Sequence, residues 1–262
     1  QRQMCIRDRK KYLEGNTFEI KKSLQELSSN DYIFFFGEQG ITQFINGRVV
    51  DENNIFYSRS DRIKFIEKKD ISQINEVMEN YTRQNITQQV NYMCFFADKA
   101  TISQIDPQKV NKNILRNKPE HYMRDHLCNY LTEHMRYTFT IEPELGQSKR
   151  ELDIYFDVCG ELYFIEIKWL GISINDDGSG FSTKYTDSRA RDGVIQTLEY
   201  IEELMNTSEK SLRHGYLAVY DARDDQPPID FKDYSFVNDS LKQYLPYFSV
   251  LKVIHLNKRH PA

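Results

Sequence analysis

The sequence predicts an α/β protein in which a central sheet of mixed strand direction is flanked by helices. Two observations predict this class: short β-rich apolar runs alternate with stretches of helical spacing, and turn residues separate them. With 262 residues, 39% of them hydrophobic and 28% charged, the chain has the composition of a folded globular protein. We expect the core in the second part of the chain, preceded by a smaller α+β region.

The smaller region, residues 1–113, has no recognisable chemical motif. Its first ten residues are charged and lack an initiator Met, so we interpret them as disordered or foreign to the fold. The patterns that follow predict strands over 31–36, over 41–50 with a turn at Asn46-Gly47, and over 54–66, then a helix over 71–81 and a strand over 90–96.

A polar stretch over 106–118 is interpreted as the linker to a second domain, 114–262. Pro119 suits the first turn of a helix that runs to about Met135. The elements predicted after it are strands over 137–142, 151–158 and 162–169, a loop over 171–187, a helix over 188–205, a strand over 216–220, a short helix over 239–244 and a strand over 248–256.

The central hairpin carries the functional argument. Cys159-Gly160 separates two β-rich runs, which predicts a two-residue turn. In that register Asp153 faces Glu166, Glu151 faces Lys168, and alternation puts Asp153, Glu166 and Lys168 on one face. A loop of three or four residues would shift the register. The opposite face is predicted to be core, formed by Leu152, Ile154, Phe156, Val158, Tyr163, Ile165, Ile167 and Trp169.

Two facing carboxylates destabilise a sheet unless a positive charge lies between them. Mg²⁺, for which Mn²⁺ is expected to substitute, would supply that charge through carboxylate oxygens. Lys168 could then position a water or stabilise charge on a phosphate. The alternative interpretation is that all three residues are solvated on an open sheet face, with Lys168 neutralising Glu166. A D…ExK spacing often arises by chance, and the apolar context favours a site.

The stretch Glu151–Trp169, ELDIYFDVCGELYFIEIKW, resembles the PD-(D/E)XK nuclease superfamily. The resemblance covers residues 119–256 and implies a restriction-endonuclease-like core. It implies that Asp153 and Glu166 bind the metal ion and that Lys168 is the active-site lysine. Leu152 stands where the family has Pro, a common departure.

Further positions resemble the family more weakly. Glu120 matches the acidic residue that the family often carries on its first core helix, which makes it a third metal ligand. Gln196 and Tyr200 resemble the QxxxY motif of the RecB-like branch, which implies a catalytic role for Gln196 and substrate contact for Tyr200. A surface Gln beside a packing Tyr would show the same spacing. Lys149 and Arg150 are candidates for phosphate contact, although a solvated loop explains them better.

The resemblance implies a Mg²⁺-dependent nuclease that hydrolyses phosphodiester bonds of DNA. The resemblance allows restriction, repair, mobile-element processing or defence against phage. Among these roles, an unassigned amino-terminal region beside the nuclease core is most typical of a defence or restriction-type effector, and a homodimer is compatible with it. Two alternatives stay open: an RNA-cleaving nuclease, and a non-catalytic nucleic-acid-binding or interaction protein that retains the fold.

Charge and cysteine content restrict partners and location. Residues 1–118 hold 19 Lys and Arg against 15 Asp and Glu, and residues 119–262 hold 16 against 24. The chain therefore lacks the basic footprint of a non-specific nucleic-acid binder. Its four cysteines form no CxxC pair, which argues against a zinc site and favours a reducing cytoplasm. No apolar run approaches the roughly 20 residues of a membrane span, so we expect a soluble protein without a membrane partner.

Overall fold

The computed structural model describes residues 17–28, 32–37, 40–45, 48–51, 68–88, 90–141, 144–145, 150–158, 160–208, 211–231 and 233–257. By its internal contacts the chain divides into two compact units, residues 1–68 and 69–262. The sequence analysis placed the division at residue 113, whereas the structure groups residues 69–113 with the larger unit.

The smaller unit contains one helix and an antiparallel sheet within its described ranges. Its elements are α1 (Thr17–Leu27), β1 (Tyr32–Gly37), β2 (Gly40–Ile45) and β3 (Arg48–Asp51), and the strands are ordered β1-β2-β3. Leu24 and Phe44 are buried. The strands predicted over 31–36 and 41–50 are confirmed. The turn predicted at Asn46-Gly47 and the strands predicted over 54–66 lie outside the described residues.

The larger unit begins with helical segments. Asp70 caps a short 3₁₀ turn that leads into α2 (Ile74–Tyr81), as the helical spacing predicts. The strand predicted over 90–96 is wrong, because Val90–Phe95 forms a 3₁₀ helix. Tyr92 and Phe95, three residues apart, are both buried, so their aromatic character reflects burial on one side of a helical turn. Next come α3 (Lys99–Ile105) and a two-residue strand, β4 (Ile114–Leu115).

The segment interpreted as a linker contributes to this unit. β4 pairs in parallel with β10 (Ile172–Ser173), and both Ile114 and Leu115 are buried. Then comes α4 (Pro119–His134), which begins with Pro in its first turn as predicted.

A mixed sheet of five strands forms the centre of the described part of this unit. Its strands are β5 (Phe139–Ile141), β8 (Ile154–Val158), β9 (Glu161–Leu170), β11 (Ser211–Asp221) and β12 (Phe248–His255). Their order in the sheet is β12-β11-β9-β8-β5, with β12 and β9 parallel to β11 and with β8 antiparallel to both β9 and β5. A separate pair consists of β6 (Glu144–Leu145) and β7 (Arg150–Glu151), and the remaining helices are α5 (Asp187–Thr207) and α6 (Asp239–Lys242).

Each face of this sheet supports its own hydrophobic core. On one side Ile165 and Ile167 of β9 pack in a cluster with Met123 and Leu127 of α4. On the other side the β9 residue Phe164 packs in a cluster with α5, whose apolar stripe includes Val194, Leu198 and Ile201. The predicted α/β class, with a mixed sheet flanked by helices, is therefore confirmed. Among the described residues, no helix is both long enough and apolar enough to cross a membrane.

Candidate active site

The predicted hairpin register is confirmed. Val158 pairs with Glu161, and the ladder continues in step to Ile154 opposite Ile165. Only two residues therefore join β8 and β9. The second is Gly160 at a φ of 86°, a conformation that glycine adopts without strain. Its N–H donates to Asp157 Oδ1 at 2.8 Å and stabilises the turn.

Beyond Ile154 the strand departs from the predicted alternation. Leu152 packs in the cluster on the α5 side, not with Ile154 on the α4 side. Glu151 belongs to β7 and pairs with Glu144, so its predicted pairing with Lys168 is wrong. The cause is a break in β structure at Leu152 and Asp153, which separates β7 from β8.

Asp153 keeps its place beside β9 through its side chain. Its Oδ2 accepts a hydrogen bond from the Ile167 N–H at 2.7 Å. The carboxylate thus takes a backbone donor of the neighbouring strand at the point where the ladder ends. The predicted pairing of Asp153 with Glu166 is not part of the ladder, which ends at Ile154 and Ile165, and the side chain of Asp153 instead contacts Ile167, the residue after Glu166.

Glu166 and Lys168 lie beneath α5 and are each only 2% exposed. The interpretation of an open, solvated sheet face is therefore wrong for these two residues. Lys168 Nζ donates to Glu166 Oε1 and, at 3.1 Å, to the Ile167 carbonyl oxygen. Lys168 Nζ also lies 3.8 Å from Oε1 of Glu120, which belongs to the first turn of α4. The lysine is thus the positive centre of a group of carboxylates.

A glycine of α5 makes room for this lysine. A Cβ atom added at Gly193 would lie 2.7 Å from Lys168 Cγ and 3.0 Å from Leu217 Cδ1, closer than van der Waals contact allows. Sequence analysis did not single out Gly193. A glycine in the middle of a helix costs about 1 kcal/mol relative to alanine, and that cost is the signal that could have identified it.

The predicted acidic residues line one cavity of about 240 Å³. Glu120 comes from α4, Asp153 from the segment before β8, and Glu166 from β9. Two further lining residues, His121 and Glu151, are exposed, so the cavity reaches the surface. Its full lining is Glu120, His121, Arg124, Glu151, Asp153, Glu166 and Gln196.

Burial and mutual repulsion shift the acidic groups toward their neutral forms. Burial raises the pKa of Asp153 well above its usual value, and the nearby charges of Glu166 and Glu120 raise it further. Burial also raises the pKa of Glu166, although the Lys168 ammonium opposes that shift. Burial by itself would lower the pKa of Lys168, but the surrounding carboxylates raise it overall. The lysine therefore stays charged while the carboxylates lack full compensation.

The QxxxY pair forms a hydrogen-bonded chain across the edge of the cavity. Gln196 Nε2 donates to the Tyr200 hydroxyl at 2.6 Å, and that hydroxyl donates to the Glu151 carbonyl oxygen at 3.2 Å. Tyr200 is buried, and Gln196 lines the cavity. The two hydrogen bonds thus connect α5 to the backbone two residues before Asp153. This arrangement gives Gln196 and Tyr200 a positioning role.

Two basic residues at the site were not assigned to it from the sequence, although the four-residue spacing of Glu120 and Arg124 predicts that these two could pair. Arg189, in the first turn of α5, places Nη2 3.9 Å from Glu120 Oε2. Arg124 of α4 is buried and donates from Nε and Nη2 to Asp125 Oδ1, both at 3.1 Å. Arg189 reaches Glu120 from a different helix, which no local spacing indicates. For Arg124, its position one helical turn after Glu120 was the available signal.

The structure gives only partial information on the last two predicted site residues, Lys149 and Arg150. Lys149 lies outside the described residues, and Arg150 contributes its backbone to β7, where it pairs with Leu145. Among the described residues, no group of three or more His, Cys, Asp or Glu side chains is arranged to hold a metal ion as it stands. In this arrangement Glu166 Oε1 is already paired with Lys168 Nζ.

Comparison with known proteins adds no relative. The chain matches no family model, no curated protein and no solved structure.

Proposed function

We propose that this protein is a metal-dependent nuclease of the PD-(D/E)XK superfamily, with a restriction-endonuclease-like core, that hydrolyses phosphodiester bonds of DNA. The sequence resemblance supports the proposal through Asp153, Glu166 and Lys168. The hairpin register, the five-stranded mixed sheet and the helices on both faces are compatible with it.

One observation carries the proposal: Glu166, in a buried ion pair with Lys168, lines a surface-reaching cavity together with Asp153 and Glu120. Burying an ion pair costs desolvation energy, and well-packed apolar residues at such positions are often equally or more stabilising. Leu162, Phe164 and Leu170 of the same strand show that apolar residues pack against this face. Charged residues here therefore point to chemistry in the cavity.

The donor set suits Mg²⁺ or Mn²⁺. Asp153, Glu166 and Glu120 offer carboxylate oxygens, the ligands that these ions prefer, and the carboxylates lack full compensation of their charge. A divalent cation held by these residues would supply polarisation of the scissile phosphate and a water of lowered pKa. Lys168, whose ammonium pairs with Glu166, would supply positive charge beside them.

The protein's own groups supply orientation and charge. The Ile167 N–H holds the Asp153 carboxylate against β9. Lys168, fixed beneath α5, donates to a phosphate oxygen as negative charge builds there. Gln196 and Tyr200 hold α5 at a set distance from the Glu151 backbone and so preserve the width of the cavity.

A substrate panel tests the proposal. The purified full chain is incubated with Mg²⁺ or Mn²⁺ and with plasmid, linear duplex DNA, single-stranded DNA or RNA. Asp153→Asn removes one carboxylate charge, and Asp157→Asn in the same hairpin is the matched control. We expect metal-dependent cleavage by the wild type and the control, and none by Asp153→Asn. The proposal is overturned if all four substrates stay intact, or if Asp153→Asn cuts as fast as the wild type.

The panel also identifies the substrate. Cleavage of RNA alone would retain the reaction class and replace DNA as the substrate. The restriction-type or defence role that the resemblance implies is part of the proposal only if DNA is cut.

A further inference from the structure

Two further cavities share residues with the candidate site. The first, of about 390 Å³, adjoins it through Gln196 and is lined by Asp192, Ile195, Gln196, Glu199 and Tyr200. We call this the acidic cavity. The second, of about 560 Å³, adjoins the site through Glu120 and His121. We call it the aromatic cavity, because Trp169 and Tyr185 contribute to its wall.

Charge distinguishes the two cavities as paths for a polyanion. Asp192 and Glu199 line the acidic cavity, and no Lys or Arg is among its described lining residues. Phosphate groups are repelled there. In the aromatic cavity Lys118 and Arg189 balance its two carboxylates, Asp176 and Glu120, of which Glu120 is shared with the candidate site. A strand that leaves the candidate site is therefore favoured on the aromatic side.

The wall of the aromatic cavity combines rings with a guanidinium group. Tyr185 and Trp169 meet edge to face, with ring centroids 4.7 Å apart. The Arg189 guanidinium carbon lies 5.1 Å from the Tyr185 ring centroid. Arg189 Nε is buried and has no hydrogen-bond partner among the described residues. A buried donor without a partner costs free energy, which a ligand acceptor would recover.

We infer that the aromatic cavity holds one unpaired nucleotide of the substrate strand, next to the phosphate in the candidate site. This inference rests on the proposed function and narrows its substrate class. Tyr185 contacts the base, and Arg189 donates to the adjoining phosphate. The volume of 560 Å³ lies within the range of about 300–1,000 Å³ that is usual for ligand sites. A base stacked inside a duplex cannot enter such a cavity, so the site selects single strands or frayed ends.

Binding without metal tests the inference separately from cleavage. Fluorescence anisotropy with labelled octathymidylate and with a blunt hairpin duplex is measured on the full chain in EDTA. Tyr185→Leu removes the stacking surface. Tyr247→Leu is the matched control, because Tyr247 is 39% exposed and lines a different cavity, together with Glu161 at the start of β9. Circular dichroism on all proteins shows that they are folded.

We expect the single strand to bind more tightly than the duplex, Tyr185→Leu to weaken single-strand binding about tenfold, and Tyr247→Leu to leave it unchanged. Equal binding by Tyr185→Leu and the wild type overturns the inference, as does a preference for the duplex or an absence of binding. If the substrate panel shows cleavage but Tyr185→Leu does not change single-strand binding, this inference is wrong and the proposed nuclease activity stands. If binding depends on Tyr185 but no substrate is cleaved, the proposed nuclease activity is wrong and the nucleotide-binding cavity stands.

Discussion

The Lys168 side chain passes directly beneath Gly193, where an added Cβ would lie 2.7 Å from Lys168 Cγ. The helix that covers the ion pair thus approaches the sheet as closely as a glycine permits. The position of the lysine ammonium, in contact with Glu166 and 3.8 Å from Glu120 Oε1, depends on that approach.

Gly193→Ala is expected to displace Lys168. Helix propensity favours alanine by about 1 kcal/mol, but overpacking of the core costs about 1–3 kcal/mol. We therefore expect a lower free energy of unfolding in urea and a loss of nuclease activity of at least about tenfold. Asn206→Ala, at an exposed position of the same helix, should leave both unchanged or slightly raise stability. A Gly193→Ala protein that is more stable and fully active would show that the contact is readily relieved.

Lys168→Met should destabilise the fold strongly. Without the ammonium, Glu166 is buried and unpaired, which costs about 3–5 kcal/mol in denaturant unfolding. Because Lys168→Met with Glu166→Gln removes both charges, the double variant should recover most of that loss. A double-mutant cycle in urea measures the coupling. A cost below about 1 kcal/mol for Lys168→Met would mean that the pair is solvated.

Tyr200→Phe tests the positioning role of the QxxxY pair. It removes the hydroxyl that joins Gln196 to the Glu151 carbonyl, at a cost of about 1 kcal/mol in stability. We expect kcat to fall while KM and Mn²⁺ affinity stay near wild type, because substrate and metal contacts are retained. Tyr244→Phe is the control, since the Tyr244 hydroxyl bonds Glu202 elsewhere on α5. Loss of Mn²⁺ affinity in Tyr200→Phe would place the hydroxyl at the metal instead.

The pH dependence of the free energy of unfolding should reveal the raised pKa of Asp153. Its pKa is raised in the folded protein, chiefly by burial, so the folded state binds this proton more tightly than the unfolded state does. The destabilising effect of the charged form is therefore present at neutral pH. It disappears as the pH falls through the folded pKa toward the unfolded value of about 3.9. In EDTA, Asp153→Asn should be more stable than the wild type at pH 7, and the difference should shrink in acid. A constant difference across pH would contradict the shift.

Local pattern was sufficient for most of the fold. Turn chemistry at Gly160 set the β8–β9 register, and helical spacing located α2, α4 and α5. Val90–Phe95 was misjudged because aromatic residues suit a strand and a buried 3₁₀ turn equally well. Periodicity alone does not separate these two environments in a short segment.

The sequence predicted only those parts of the site whose residues are close together in the chain. Asp153, Glu166 and Lys168 follow from one hairpin, but the burial of Glu166 and Lys168 depends on α5, which comes from a later segment of the chain. The break at Leu152 is a backbone feature that alternation does not show. Arg189 meets Glu120 through the packing of two helices, and only the folded chain brings them within 3.9 Å.

Calorimetric titration of Mn²⁺ into the full chain tests the central claim most directly. The account predicts saturable binding to the wild type and to Asp157→Asn, and loss of that binding in Asp153→Asn. Absence of saturable binding to the wild type, or equal binding by Asp153→Asn, would contradict a metal site at Asp153 and Glu166.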